Sequence, residues 1–495
     1  MQGVAKKWWV LISMCLITMI LAIDATALNV ALPVISNEFQ QSLTNVQWVI
    51  NAFFLLAAMV QILGGHLGDS YGHKKVFLSS ILLFIASSVG AGFATNEWVL
   101  IVCRALQGAS IGVAYPQTIV LISEAFDAKQ QSYARSFVVA TMGIGLAAGA
   151  PLGGLFVHTI GWRWIFFINI PIGLALYILA QIACPKKQVL NRHSIDYKAV
   201  VLLILGLLGL TVAINQMQNW SIVLFSAVFL AGAAFIYLLY RREKDLPLPL
   251  FDFSLFKLRN FSINNGLRLI VGIIFLAILF FLPLYLQNTI EVSALTSGYT
   301  MFALTLVMSI VSPFAGKWID RAGERKANFV TMTILMIASC LLLFVTGTPN
   351  FFLLASALFL FGIGIAMGYV STMTGALAVA PPKKMGRASG LFSTIAWLSC
   401  AAGVAISGTL IARVSVTSLT QQLAAHHTTL SSSQYHLAER IAKGISPAST
   451  LPAVKAIAAH AFAESIHANA YLFIGLCLIG LFLTALQRSR FKRLR

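Results

Sequence analysis

Fourteen apolar stretches, each long enough to cross a bilayer as a helix, dominate this chain. They run roughly over 8–33, 46–67, 76–94, 98–122, 136–157, 162–183, 199–215, 220–240, 262–287, 297–316, 327–346, 351–379, 388–412 and 468–487. Of its 495 residues, 59% are hydrophobic and only 10% charged, against about 25% charged in soluble domains. No water-soluble core could absorb that much apolar sequence. The expected class is therefore an all-α membrane protein with 14 transmembrane helices. Even parity puts both termini on one side. Of the 34 Lys and Arg, 27 fall on that side in the N-terminus and alternate loops, five on the other, and two inside spans. The positive-inside rule makes the basic side cytoplasmic, which predicts a multi-pass protein of the cell (inner) membrane. The net charge of +19 is a topology signal, not a nucleic-acid surface. The apolar run after Lys6-Lys7 is too long for a cleaved signal and reads as a retained helix. Six widely spaced cysteines suggest neither a disulfide framework nor a zinc site. No metal or cofactor is expected.

Asp24 lies inside the first apolar stretch and is the one carboxylate at that depth. A charge at mid-membrane costs about 2.5–3.5 kcal/mol on insertion scales, so it marks a functional site by default. A membrane carboxylate can bind and release a proton. Arg104, in span 4, shares a helix face with Gln107 three residues on. Both Asp24 and Arg104 fall in the outer halves of their spans, which allows them to meet. A nearby arginine would favour the ionised acid and burial would oppose it. Either effect makes proton affinity depend on conformation.

An internal repeat organises the chain. Gly65-x-x-x-Asp69-x-x-Gly72-x-x-Lys75 recurs as Gly316-x-x-x-Asp320-x-x-Gly323-x-x-Lys326, each pair offset by 251 residues. Both copies sit between spans, 2–3 and 10–11. Spans 1–6 then match spans 9–14, and spans 7 and 8 are an insertion. The predicted division is a six-helix bundle over 1–190, two inserted helices over 191–245, and a second bundle over 246–495 with an external polar loop over 413–467. Within that loop Ser433 to Lys443 reads as a short helix. His426, His427, His436, His460 and His467 also lie there, as part of a solvated cap. Gly108-x-Ser110-x-Gly112 fits a hydrolase pattern, but lies mid-span rather than on a strand-to-helix turn. No ATP-binding motif occurs, so transport must draw on a gradient.

Together these features resemble the major facilitator superfamily, and within it the fourteen-span drug–proton antiporter family of the EmrB/QacA type. Asp24-Ala-Thr26-Ala-Leu-Asn29-Val-Ala-Leu-Pro33 is similar to its D-x-T-x-x-N-V-A-L-P signature. The loop from Gly65 to Lys75 resembles the superfamily's G-x-L-x-D-R-x-G-R-K, with Ser70 and His73 in place of the usual arginines. Arg104-x-x-Gln107-Gly108 resembles R-x-x-Q-G. Gly145-x-x-x-Gly149-Ala150-Pro151-x-Gly153-Gly154 resembles the antiporter motif of span 5, with Ala150 for glycine. The openings of span 6 (from Trp162) and the Leu282-Pro283-x-Tyr285-x-Gln287 segment of span 9 match the same family.

The resemblance implies a major facilitator fold of two six-helix halves plus two inserted helices. It assigns proton coupling to Asp24, tuned by Arg104. Gly65, Asp69, Gly72, Lys74, Gly316, Asp320 and Gly323 would form conformational latches, the first received near Gly386-Arg387. Gly149, Pro151, Gly153 and Gly154 would form a kinked seam that limits leak. Asn51, Gln107, Tyr285 and Gln287 are the substrate-binding candidates, chosen as polar groups inside spans. The expected function is proton-coupled multidrug efflux by alternating access. With a single deep carboxylate, neutral or monocationic amphipathic compounds are favoured. The rivals are a dedicated exporter of a native metabolite such as a siderophore, an uptake carrier, and a non-transporting sensor. The EmrB side of the family works with a periplasmic adaptor, which would dock on the external loop.

Overall fold

The computed structural model describes residues 2–40, 48–185, 196–215, 220–244, 246, 249–286, 290–292, 294–345, 350–425, 432–442 and 455–487. Among them there is helix and no strand, as a bilayer requires when every backbone group must be satisfied within its own segment. The first half comprises α1 (Gln2–Glu38), α2 (Trp48–Met59), α3 (Gln61–Tyr71), α4 (His73–Gly92), α5 (Glu97–Ala125), α6 (Gln131–Thr159), the single turn α7 (Trp164–Phe167) and α8 (Asn169–Ala183). The insert is α9 (Tyr197–Asn215) and α10 (Ile222–Glu243). The second half comprises α11 (Arg259–Leu284), α12 (Ala294–Ala322), α13 (Glu324–Leu342), α14 (Phe351–Leu377), α15 (Met385–Ala425), the short α16 (Ser432–Ala442) and α17 (Lys455–Leu486). Among the described residues thirteen helices are long and apolar enough to span a membrane, and α2 with α3, bent by 47°, makes a fourteenth broken span.

Small residues set how closely these helices approach, since lipid offers no hydrophobic drive for helix association. The two halves meet along two related seams. On one, α3 lies against α15: a side chain at Gly65 would run into the Gly386 carbonyl, and one at Gly390 into that of Gln61. On the other, α6 lies against α12, where Gly143 faces Thr305 and Ser309, and Gly316 faces Ser132 and Ser136. The second helix of each half thus packs on the fifth of the other. Helices α9 and α10 pair through Gly206, Gly209 and Gly232. Ala199, Leu203 and Leu207 of α9 pack into a cluster with Met59 and Leu391, so the insert sits where α2 and α15 meet.

The stretch expected as an external loop over 413–467 is more helical than that. Helix α15 continues to Ala425, and α17 begins at Lys455. The reason is a small core outside the spans. Leu419 and Leu423, spaced i,i+4, pack with Ala438 of α16 and Ala461 of α17. The expected helix over Ser433–Lys443 is present as α16, with Lys443 outside the described residues.

The termini share one end of the bundle with the repeated loops. Lys7 donates to Gln130 (3.0 Å), and Arg325 donates to the Ala485 carbonyl (3.0 Å).

Candidate functional site

Asp24 and Arg104 meet away from the terminal-bearing end. Asp24 lies about 33 Å along α1 from its start, at 1.5 Å per residue. Arg104 is two turns into α5 from the opposite end. Arg104 Nη1 stands 2.5 Å from Asp24 Oδ2, with Arg104 0% and Asp24 2% exposed. The guanidinium is held on every side. Nη1 also donates to Gln107 Oε1 (2.9 Å), Nε donates to the Val49 carbonyl (3.1 Å), and the group lies 4.3 Å from the Phe53 ring centroid. Gln107 in turn donates to Ser88 Oγ (2.7 Å). Asp24 Oδ1 is buried with no hydrogen-bond partner among the described residues. A neutral pair can live in low dielectric, whereas removing one partner strands a charge at about 3–5 kcal/mol.

The glycine stripe of α6 is the bed on which this part of α1 lies. A Cβ at Gly145 would meet Ala22 and the Met19 carbonyl. At Gly149 it would come within 1.9 Å of Thr26 Oγ1, and at Gly153 within 2.4 Å of the Ala27 carbonyl. Thr26 also donates to the Leu146 carbonyl (3.3 Å). The residues flanking Asp24 on its own helix are thus fixed by backbone contact with α6. Pro151, within α6, is exposed and Gly154 is half-buried.

At the terminal-bearing end, each repeated acid reaches across to the other half. Asp69 accepts from the main-chain N–H of Gly386 (2.9 Å) and Arg387 (3.0 Å) and from Arg387 Nε (3.2 Å). Asp320 accepts from the N–H of Ser132 (3.1 Å) and Tyr133 (2.9 Å). Both acids bind helix N-termini, where unpaired donors and the helix dipole favour an anion. The turns behind them need glycine: Gly72 has φ +96° and Gly323 φ +84°. His73, which replaces an arginine, donates from Nδ1 to Gln117 Oε1 (2.7 Å), because the Gln117 amide nitrogen is committed to the Gly64 and Val113 carbonyls. Its other ring nitrogen faces Asp69 at 3.6 Å.

These arrangements, two pseudo-symmetric halves with one membrane ion pair and two crossed acid-to-N-terminus contacts, can be set beside known proteins. The Major Facilitator Superfamily profile matches residues 14–404. The chain belongs to that superfamily. It is 29% identical over 414 residues to the riboflavin transporter RibZ of Clostridioides difficile, covering 82% of this chain and 89% of that one. To the multidrug export protein EmrB of Haemophilus influenzae it is 28% identical over 407 residues, covering 80% and 79%. The likeness to the EmrB/QacA type stands on these relatives, and the chain is a transporter rather than an enzyme. The solved structure of the proton:xylose symporter XylE matches with a TM-score of 0.61 at 14% identity, covering 96% of this chain and 95% of that one, a likeness of fold alone.

Several expected site residues of this superfamily member fall elsewhere. Lys74 does not cross between halves. Its ammonium caps the carbonyls of Gln181 and Cys184 at the end of α8 (2.7 and 2.9 Å), where unpaired acceptors attract a cation. The three described substrate candidates do not converge. Gln107 is fully buried and spent on Arg104 and Ser88; Tyr285 is buried and stacked on Phe462, with centroids 6.0 Å apart; Asn51 is exposed. Gln287 lies outside the described residues, as do His426 and His427. Ser110 of the hydrolase-like pattern is buried mid-helix and donates to the Gln107 carbonyl. Among the described residues no cluster could hold a metal.

Three features escaped the sequence. The receptor for Asp320 is one; applying the repeat offset to Gly386-Arg387 lands three residues from Ser132-Tyr133. The second is Asp252, in the link between insert and second half, which pairs with Lys384 (2.7 Å) and lies 3.7 Å from Arg387 Nη1. The third is the set of partners that hold Arg104 beside Asp24, namely Val49, Phe53 and Gln107.

Proposed function

We propose that this chain exports amphipathic small molecules in exchange for protons, by alternating access between its halves. The observation that carries the reading is the buried Asp24–Arg104 pair with its one open oxygen, Asp24 Oδ1. A proton arriving at Oδ1 neutralises the acid and weakens its hold on Arg104. Arg104 keeps Val49, Gln107 and the Phe53 face as alternative partners. Deprotonation restores the pair. Because α1 is bedded on the glycine seam, a change at Asp24 is transmitted to α6, which carries the Asp320 receptor at its other end. With the basic side cytoplasmic, both latches close the cytoplasmic mouth, so release of the latches opens the substrate entrance. Inward movement of one positive charge across 100 mV supplies about 2.3 kcal/mol, roughly fifty-fold of substrate gradient.

The setting this implies is the cell (inner) membrane with both termini cytoplasmic, and drug resistance is the expected phenotype. The helical projection of α15, α16 and α17 is where a periplasmic adaptor would dock. A second reading, transport of one native compound, is favoured by the likeness to the riboflavin transporter RibZ.

The test is reconstitution in liposomes with an internal pH dye, using a panel of cationic, neutral and anionic dyes with riboflavin included. Substrate-driven proton flux that is abolished by a protonophore and by Asp24→Asn supports the reading. Flux unchanged by both overturns it. Activity confined to a single compound selects the second reading.

A further inference from the structure

Among the described residues three charged side chains lie deep inside spans: Asp24, Arg104 and Arg268. The first two neutralise each other. Arg268, on α11, does not share in that pair. It is 5% exposed, and its Nε and Nη1 are buried without a hydrogen-bond partner among the described residues. It lies nine residues into α11, about 14 Å from that helix's start. Its guanidinium lies 3.4 Å from the Tyr369 ring centroid and 5.7 Å from that of Phe392. Tyr115 packs against the same apolar cluster as Phe392. Tyr115 belongs to α5 of the first half; the rest belong to α11, α14 and α15 of the second. The cluster therefore lies where the two halves face each other.

A lone cation at this depth costs about 2.5–3.5 kcal/mol. An aromatic face returns about 2 kcal/mol, but it leaves donors in the plane of the guanidinium unmet. A planar fork of N–H groups is the geometry that receives a carboxylate or a similar oxyanion in two parallel bonds. We propose that Arg268 is the substrate's charge-recognition point, and that the transported molecule is an amphipathic compound with an aromatic body and one anionic group. The anion pairs with Arg268, and the rings of Tyr369, Phe392 and Tyr115 take the aromatic body. The expectation of monocationic cargo is thereby reversed: the unopposed charge between the halves is positive. This inference rests on the exporter reading for its biological sense, but binding at Arg268 needs no proton flux.

The experiment measures equilibrium binding of two xanthene dyes to the purified full-length protein in detergent, by fluorescence polarisation and without a proton gradient. Fluorescein carries a carboxylate; rhodamine 6G is a cation. Expected is fluorescein binding at least tenfold tighter than rhodamine 6G. Arg268→Gln should lose that preference while holding or improving rhodamine 6G binding, and Arg268→Lys should keep a preference for the anion. Size-exclusion profiles confirm that both variants are folded; if Arg268→Gln is not, the Arg268→Lys ratio and the wild-type preference decide. A wild-type preference for the cation, binding of neither dye, or an equal loss of both dyes in both variants overturns the assignment. Failure of proton coupling, read separately in liposomes with Asp24→Asn, would leave this result standing.

Discussion

At the residue scale, Arg104 is more than a counter-charge. Its Nε and Nη1 reach three acceptors on three different helices, α1, α2 and α5, and its plane lies over Phe53. Lysine keeps the charge but cannot make that fork. Arg104→Lys is expected to lower proton-coupled flux at least tenfold while the protein still inserts, measured in the liposome assay with expression checked by blotting. Gln107→Leu removes one acceptor from Arg104 and strands Ser88. A lost hydrogen bond to a charged group costs about 1.5–3 kcal/mol, which should appear as a thermal destabilisation of the detergent-solubilised protein. Asp24 and Arg104 were legible in the sequence because a charge within an apolar run has no bland explanation. Gln107 was legible only as a neighbour on the same face. That its side chain is engaged by Arg104 and Ser88 was not legible, because polarity inside a span does not reveal whether a group is already satisfied by another helix.

At the element scale, the contact of α6 with α1 depends on what is missing from three glycines. Gly149→Val would drive a branched side chain into Thr26 Oγ1 and the Ile23 carbonyl, neither of which is a flexible side-chain end. Overpacking of this kind costs about 1–3 kcal/mol, and it tilts the helix that carries Asp24. Gly149→Val is expected to lower the melting temperature and abolish coupled flux. Gly154→Ala, next along but half-buried, should be far milder. Melting curves alongside proton flux separate these outcomes. The stripe was readable as a motif, but its partner was not, because small-residue spacing says that something approaches without saying what. The extension of α15 beyond its apolar run was missed for a related reason. Its polar sequence reads as loop until the packing of Leu419 against Ala438 and Ala461 is visible.

At the scale of the whole molecule, the Asp69 and Asp320 contacts form a pseudo-two-fold pair with a third component. Asp252 ties the link after the insert to the Asp69 latch through Lys384 and Arg387. Burial alone would push the Asp252 carboxyl up; the Lys384 ammonium and the Ser254 hydroxyl outweigh it and hold the acid below the ordinary carboxylate range. A depressed folded value means that the contribution is complete above the unfolded value of about 3.9. It is lost as pH falls through the lower folded value. The tether should therefore be insensitive to pH between 5 and 8 on the order of physiological variation, and Asp252→Asn should loosen the latch equally across that window. Spin labels on Cys-substituted ends of α3 and α15 would report this by pulsed distance measurement. In the same assay Asp69→Asn and Asp320→Asn should each shift the population toward the open end by about tenfold, since a charged hydrogen bond contributes about 1.5–3 kcal/mol. The double variant should shift it further. If neither single variant moves the distance distribution, the latches do not control the gate. The repeat made the acids visible in the sequence at an offset of 251 residues, and with them the two-half architecture.

The receiving side of each latch is built differently from the giving side. Asp69 and Asp320 must be acids, but what they bind at Gly386, Arg387, Ser132 and Tyr133 is first of all main-chain N–H. A main-chain donor survives replacement of its side chain except by proline, but at Gly386 any Cβ would run into the Gly65 carbonyl and meet Asp69 Oδ1 at 2.6 Å. The two receiving sides therefore differ in tolerance: Ser132 and Tyr133 offer N–H groups that do not depend on their side chains, whereas Gly386 must stay bare. Alanine in place of Ser132 or Tyr133 would thus leave the Asp320 contact closed, while the same change at Gly386 would pry the Asp69 contact apart.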